Sequence, residues 1–246
     1  MAASDSEKQI IIREVTKNVW TFSRPFNLFN KLPVGGRSTA IKLNDGSVWV
    51  VASTPLTDST KSKLQELGEV KYIVAANAFH NLYLKPFKEA YPSAKVIGPI
   101  DLNVKLQEQQ GWQLDATIDD SQLETTFGFE EEIDYCFFSG HKNKDIAFLH
   151  KATKTVIAAD LLFNLPANEQ YSQGAAKPWF PFINSWSPNS FLMRTFVSLK
   201  VEDPVKLKAQ VAKVVGWDFE RWIPCHGDVV ETSAKQLFKQ AYKSQL

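Results

Sequence analysis

Residues 137–165 read FFSGHKNKDIAFLHKATKTVIAADLLFNL. Two short apolar runs, AFL and TVIAA, flank a polar turn, KATK, so the stretch predicts a β-hairpin. His141 stands at its entrance, after a Gly, and Asp160 stands at its exit. Polar groups at strand ends are presented to solvent by a rigid scaffold, which is where binding groups tend to sit. The question is what an imidazole and a carboxylate at the two ends of one hairpin can share.

Working outward, two more histidines follow strand-like segments: KYIVAANAFH ends at His80 and RWIPCH ends at His226. Four such groups at neighbouring strand ends converge on one rim. Imidazole and carboxylate together suit Zn²⁺ or Fe²⁺. The remaining histidine, His150, lies beside the KATK turn and is expected to be exposed and inert. Cys225 adjoins His226, but strand neighbours point to opposite faces, so it is expected in the core, as is Cys136.

The rest of the chain frames this rim. QIIIREVTKNVWTF, 9–22, reads as one or two strands, and TAIKL-NDG-SVWVVAS as a hairpin with its turn at 44–46. Helical spacing appears over 58–68, 81–91, 102–111, 204–216 and 231–244. KYIVAA, KVIG and IDYCFF are short apolar strands, and 164–190 is irregular. PVGGR, 33–37, is a turn entering the next strand; no Gly-Lys-Ser/Thr follows, so it is not a phosphate loop. Helices come singly between strands with no linker or repeat, which predicts one α/β domain over 1–246 with two packed sheets and helices outside.

The chain has 246 residues, 28 Lys+Arg against 27 Asp+Glu, and a formal net charge of +1. No basic stripe points to nucleic acid. No apolar run approaches a membrane span, and no signal peptide is evident. Two distant cysteines suit a reducing compartment, so a cytoplasmic location is expected. The expected partner is a small-molecule substrate, with the chain as a monomer or homodimer.

The order of these features resembles the metallo-β-lactamase fold superfamily. Its members read strand, Asp-containing turn, helix, strand, HxHxDH, then GH, then Asp, then a final His. SVWVVASTPLTDSTKSKLQELGEVKYIVAANAFHNLYLKPF runs in the order of the first two motifs, SGHKNKDIAFLHKATKTVIAADLLF is similar to the GH and Asp segment, and IPCHGD to the closing histidine loop. The likeness spans about residues 10–230 and implies a four-layer αββα sandwich of two mixed β-sheets with outer helices. It also identifies the chain with a divergent branch carrying a degenerate HxHxDH motif. With His80 in the last position of that motif, its two other histidines become Ala75 and Asn77, its Asp becomes Phe79, and the earlier Asp turn is replaced by AST at 52–54.

By that carry-over a dinuclear site is lost. What remains is one divalent ion, Zn or else Fe, held by His80, Asp160 and His226, with His141 as fourth ligand or as a residue behind the ligands. Three ligands leave a coordination position open, where a bound water drops to a pKa of about 7 and can attack a polarised carbonyl. The resemblance thus implies a hydrolase acting on a lactone, ester or β-lactam, with Asp160 and His141 in catalytic roles. Substrate contacts are expected from Asn77 and from Trp179, Phe180 and Trp186 in PWFPFINSWSP, 178–188. Two alternatives stand beside this reading: a binding protein that kept the fold without the chemistry, and a mononuclear iron oxidoreductase.

Overall fold

The computed structural model describes residues 10–121, 126–174, 177–179 and 186–246. Strands β1 (Ile11–Thr16), β2 (Val19–Arg24), β5 (Gly36–Lys42), β6 (Val48–Val51), β7 (Val70–Val74), β8 (Lys95–Pro99) and β9 (Ala116–Ile118) form one sheet in the order β1-β2-β5-β6-β7-β8-β9. Its first half is antiparallel and its second half, from β6 onward, is parallel. A second sheet joins β10 (Ile133–Phe138), β11 (Asp145–His150), β12 (Thr155–Ala158) and β13 (Arg221–Pro224). There β13 runs parallel to β12 and the other pairs are antiparallel. A short hairpin, β3 (Asn27–Leu28) with β4 (Leu32–Pro33), stands apart from both sheets.

The two sheets face each other across a core of Trp49, Tyr72, Val74, Phe148, Ile157 and Ile223. Helices α1 (Asp58–Leu67), α2 (Leu84–Ala90) and α3 (Ile100–Gln110) cover the first sheet through Leu64, Phe87 and Leu102. Helices α4 (Phe191–Leu199), α5 (Pro204–Gly216) and α6 (Ala234–Ala241) cover the second through Met193, Val211 and Phe238. Strands buried on both faces explain the continuous apolar runs of β6 and β12. The result is the expected αββα order of layers with two mixed sheets.

Local chemistry sets the helix ends. Thr57 accepts the Thr60 N–H at the start of α1, and Gly68 closes it at φ 148°. Asp203 accepts the Val205 and Lys206 N–H groups ahead of Pro204, which opens α5. Several boundaries differ from the sequence reading. The helix at 81–91 begins at Leu84, and the last helix begins at Ala234 because Ser233 sits at φ 58°. Strands β3, β4 and β9 and helix α4 fall in stretches read as irregular or unassigned. His150 is a correction: β11 extends through it, it is only 4% exposed, and its Nδ1 lies 2.8 Å from Thr153 Oγ1. Cys136 and Cys225 are buried and unpaired. No described helix is long and apolar enough to cross a membrane.

Candidate metal centre and its cavity

The parallel strands β6, β7, β12 and β13 end on one rim. Ser53, Asn77, Asp160 and His226 follow those four ends, and the β10–β11 turn brings His141 and Asn143 to the same edge. Asn77 organises the first segment. Its Oδ1 accepts the N–H groups of Phe79 at 2.8 Å and His80 at 2.9 Å, an Asx turn that aims His80 inward. Its Nδ2 donates to Asp160 Oδ2 at 2.8 Å. Asn143 Nδ2 donates to the same oxygen at 2.7 Å. One carboxylate oxygen is thus pinned by two amides, and the other, Oδ1, is left facing the two histidines.

His226 is fixed from behind. Its Nδ1 lies 2.6 Å from the Gly35 carbonyl, which can only accept, so Nδ1 carries the proton and Nε2 the lone pair. Nε2 faces Asp160 Oδ1 at 3.4 Å. Gly35, in the loop read as a plain turn, is needed at φ 68°, where a Cβ would run into the Gln170 side chain. The buried Arg37 clamps the histidine loop from below, donating to the carbonyls of Pro224 at 2.8 Å and Gly227 at 2.6 Å. Glu169 Oε1, at 3.2 Å from Arg37 Nη2, balances its charge.

His80 Nε2 lies 3.5 Å from Asp160 Oδ1, and its Nδ1 lies 3.3 Å from Ser53 Oγ. Burial works against a charged His80, but the Asp160 carboxylate outweighs it and holds the imidazole well above its ordinary range. His226 goes the other way: burial, reinforced by the neighbouring His80 charge and only partly opposed by Asp160, pushes it down to about 4. Burial tends to raise Asp160, but the two histidines and the Asn143 amide hold it well below the usual carboxylate range. The rim therefore presents a firm anion with a neutral imidazole on one side.

These residues fit a divalent cation. A lone pair on His226 Nε2 directed at a carboxylate oxygen leaves two acceptors face to face, which a cation between them resolves. The donor atoms of His80, Asp160 and His226 all lie within 4.8 Å of one another. Donors about 2.1 Å from a tetrahedral ion sit roughly 3.4 Å apart. The observed Nε2–Oδ1 separations are 3.5 Å and 3.4 Å. Gly35 behind His226 is the kind of carbonyl that orients a ligating imidazole.

His141 does not join this triad. It is fully buried, with Nδ1 accepting the Asn143 N–H at 3.2 Å and lying 3.4 Å from Asp145 Oδ2. Burial pushes it down to about 4. Asp145 Oδ1 accepts the Asp160 N–H at 2.9 Å, and burial next to the Asp160 charge raises Asp145 far above the carboxylate range. The expectation of His141 as a ligand is thus replaced by a buried His141–Asp145 pair behind Asp160. Asn143 and Asp145 were missed in the sequence, although His141, Asn143 and Asp145 alternate, the period of residues sharing one side of an extended chain.

The triad opens on a cavity of about 630 Å³. Phe26, Phe163 and Phe196 line it near His226, whose ring lies edge-on to Phe163 with centroids 5.2 Å apart. Phe29, Phe79 and Leu82 line its mouth, and Arg24 and Lys200 bring positive charge. Of the expected substrate contacts, Asn77 is buried against Asp160 rather than lining the cavity. Trp179 is 86% exposed and outside the lining, and Trp186 leans on Phe196 from beyond it, centroids 6.0 Å apart. Phe180 lies outside the described residues. Phe163 and Phe196 supply the aromatic wall instead, because Phe163 follows Asp160 directly out of β12 and α4 brings Phe196 across.

A family model described as a domain of unknown function, DUF4336, matches residues 16–175. No curated protein matches the chain in sequence. Among solved structures, the metallo-β-lactamase FIM-1 from Pseudomonas aeruginosa in its mono-zinc form is 14% identical, with 96% of each chain covered and a TM-score of 0.60. A metallo-β-lactamase from Pontibacter korlensis is 12% identical over 95% of this chain and 99% of its own, TM-score 0.62. A flavo di-iron protein from Thermotoga maritima is 10% identical over 96% of this chain and 61% of its own, TM-score 0.64. These likenesses establish the metallo-β-lactamase fold.

Proposed function

The chain belongs to the DUF4336 family, and from that premise we propose that it is a mononuclear metal-dependent hydrolase of a small carbonyl compound. An ester, lactone or β-lactam is the substrate class. The observation that carries the reading is the His226 imidazole: Nδ1 is committed to the Gly35 carbonyl, and Nε2 and Asp160 Oδ1 converge at 3.4 Å as two acceptors. His80, Asp160 and His226 would hold the ion, Zn first and Fe second. When bound, it would supply Lewis acidity and a water of lowered pKa at an open position.

The chain's own residues do the remaining work. Asn77 and Asn143 keep Asp160 turned so that Oδ1 faces the histidines. Ser53 and Gly35 hold the two imidazoles from behind. Phe26, Phe163 and Phe196 keep bulk water from the reacting carbonyl and receive an apolar substrate. Phe79 stands where the superfamily motif carries an Asp, so proton delivery to the leaving group falls to the attacking water. Two buried free cysteines suit a cytoplasmic setting.

The two-His, one-carboxylate donor set also suits Fe²⁺, and one of the similar folds is a flavo di-iron protein. Metal analysis of anaerobically purified protein separates the two readings. The functional test is a panel of esters, lactones and β-lactams assayed with and without chelator. Turnover that chelator abolishes and Zn²⁺ restores supports hydrolysis. A protein that binds the ion but turns over none of the panel would overturn it.

A further inference from the structure

Resting on that hydrolase reading, we infer that the cavity selects an acylated acid: an apolar acyl group, a hydrolysable carbonyl, and a carboxylate on the leaving portion held by Lys200. Lys200 follows α4 and lines the cavity. Among the described residues it has no carboxylate within ion-pairing distance. Its Nζ makes one side-chain hydrogen bond, to Asn143 Oδ1 at 3.0 Å, and stands 5.4 Å from the Phe196 ring centroid. An ammonium has three donors, so two remain for a ligand. Arg24, the other cation of the cavity without a carboxylate partner, spends its Nε and one Nη1 donor on the Pro25 carbonyl and Tyr83 Oη, each at 3.1 Å, and has no link to Asp160, so Lys200 is the cation joined to the centre.

Asn143 fixes where the anion sits. The amide that accepts from Lys200 also donates to Asp160 Oδ2 at 2.7 Å, so a single side chain separates the ammonium from the metal-binding carboxylate. A carboxylate on Lys200 therefore lies a few bonds from a carbonyl at the centre. The apolar portion has an outward route. Phe29, Phe79 and Leu82 line the same cavity yet are 84%, 60% and 75% exposed. An apolar track that runs from the interior onto the surface suits a chain longer than the cavity is deep. Hydrolysis breaks the acyl C–N or C–O bond. Water gives its oxygen and one proton to the acyl carbon as a carboxylic acid, and its other proton to the leaving amine or alkoxide.

The test compares N-decanoylglycine with its methyl ester on Zn²⁺-loaded full-length protein, reading affinity by saturation-transfer NMR and glycine release by mass spectrometry. The wild type is expected to bind the acid about tenfold more tightly than the ester, the scale of a charge-assisted hydrogen bond. Lys200→Met is expected to bring that ratio near one, and Leu82→Ser to weaken both ligands. Equal affinity for acid and ester, or a preference that survives Lys200→Met, overturns the inference. Acid preference with no turnover of any ester, lactone or β-lactam in the panel supports the recognition and counts against the hydrolase reading. Turnover of neutral esters with no acid preference does the reverse.

Discussion

His226 Nε2 stands 3.4 Å from Asp160 Oδ1 while its Nδ1 is committed to the Gly35 carbonyl. That arrangement makes Asp160 the hinge of the site: both histidines face one of its oxygens and both asparagines hold the other. Its removal should be felt more than that of any single partner. Asp160→Asn replaces an anion with a neutral amide at that point, and Zn²⁺ uptake measured by elemental analysis is expected to fall below a tenth of an equivalent.

Asn77 acts on two of the proposed ligands at once, capping the turn that carries His80 and donating to Asp160. Removing residues that orient metal ligands costs about 10- to 100-fold in metal affinity. Asn77→Ala is expected to lie in that range in a competitive chelator titration while retaining the folded circular-dichroism spectrum. Affinity unchanged from wild type would show that the Asx turn is not what aims His80.

The buried position of His141 predicts a negative result at the metal. His141→Ala is expected to keep one equivalent of Zn²⁺, because the imidazole faces Asp145 and not the triad. It should lower the melting temperature, since Asp145 loses the group opposite its Oδ2. Loss of stoichiometric metal in this variant would restore His141 as a ligand.

Metal-free protein should show a distinct pH dependence. His80 has a folded-state pKa above its unfolded value of about 6.5. Its ion pair with Asp160 therefore contributes stability that is full below that unfolded value and is lost as pH rises through the raised one. Thermal melts of chelator-treated protein are expected to fall as pH rises above about 6.5, a decline that His80→Gln removes. His226 contributes with the opposite sign: its pKa of about 4 means that stability is present above the unfolded value and lost as pH drops toward 4. Zn²⁺ binding, which displaces the His80 proton, should strengthen as pH rises and release a proton measurable in buffers of different ionisation enthalpy.

Arg37 is expected to matter for stability without touching the cavity. It donates to two carbonyls of the His226 loop and faces Glu169. Arg37→Met takes the donor from the Pro224 carbonyl and one of two donors from the Gly227 carbonyl, which keeps Gln170 Nε2, while Glu169 keeps its ion pair with Arg13 at 2.8 Å; the unmet buried carbonyl costs about 1–3 kcal/mol. Urea unfolding should show a lower midpoint, with the m-value unchanged.

The four candidates were legible because each comes after a strand-like segment whose end shares one rim, and the resemblance to the metallo-β-lactamase motif order singled out His80, Asp160 and His226 among them. The same logic overextended to His141. It stands in a comparable sequence position, but the turn from β10 to β11 buries it, which only the partner Asp145 reveals. His150 was read as exposed from its closeness to KATK, yet β11 carries it inside. Helix α4 escaped notice because Phe191 and Leu199 are apolar and exposed, blurring the period that Met193 and Val197 mark. That blurring also hid Phe196 and Lys200, so the aromatic wall was sought in the segment before α4.

The central claim is one divalent ion on His80, Asp160 and His226. The direct measurement is a calorimetric Zn²⁺ titration of chelator-stripped protein beside its His80→Ala/His226→Ala variant. One equivalent bound by the wild type and none by the variant is the predicted result. No binding by the folded wild type, or equal binding by the variant, would contradict it.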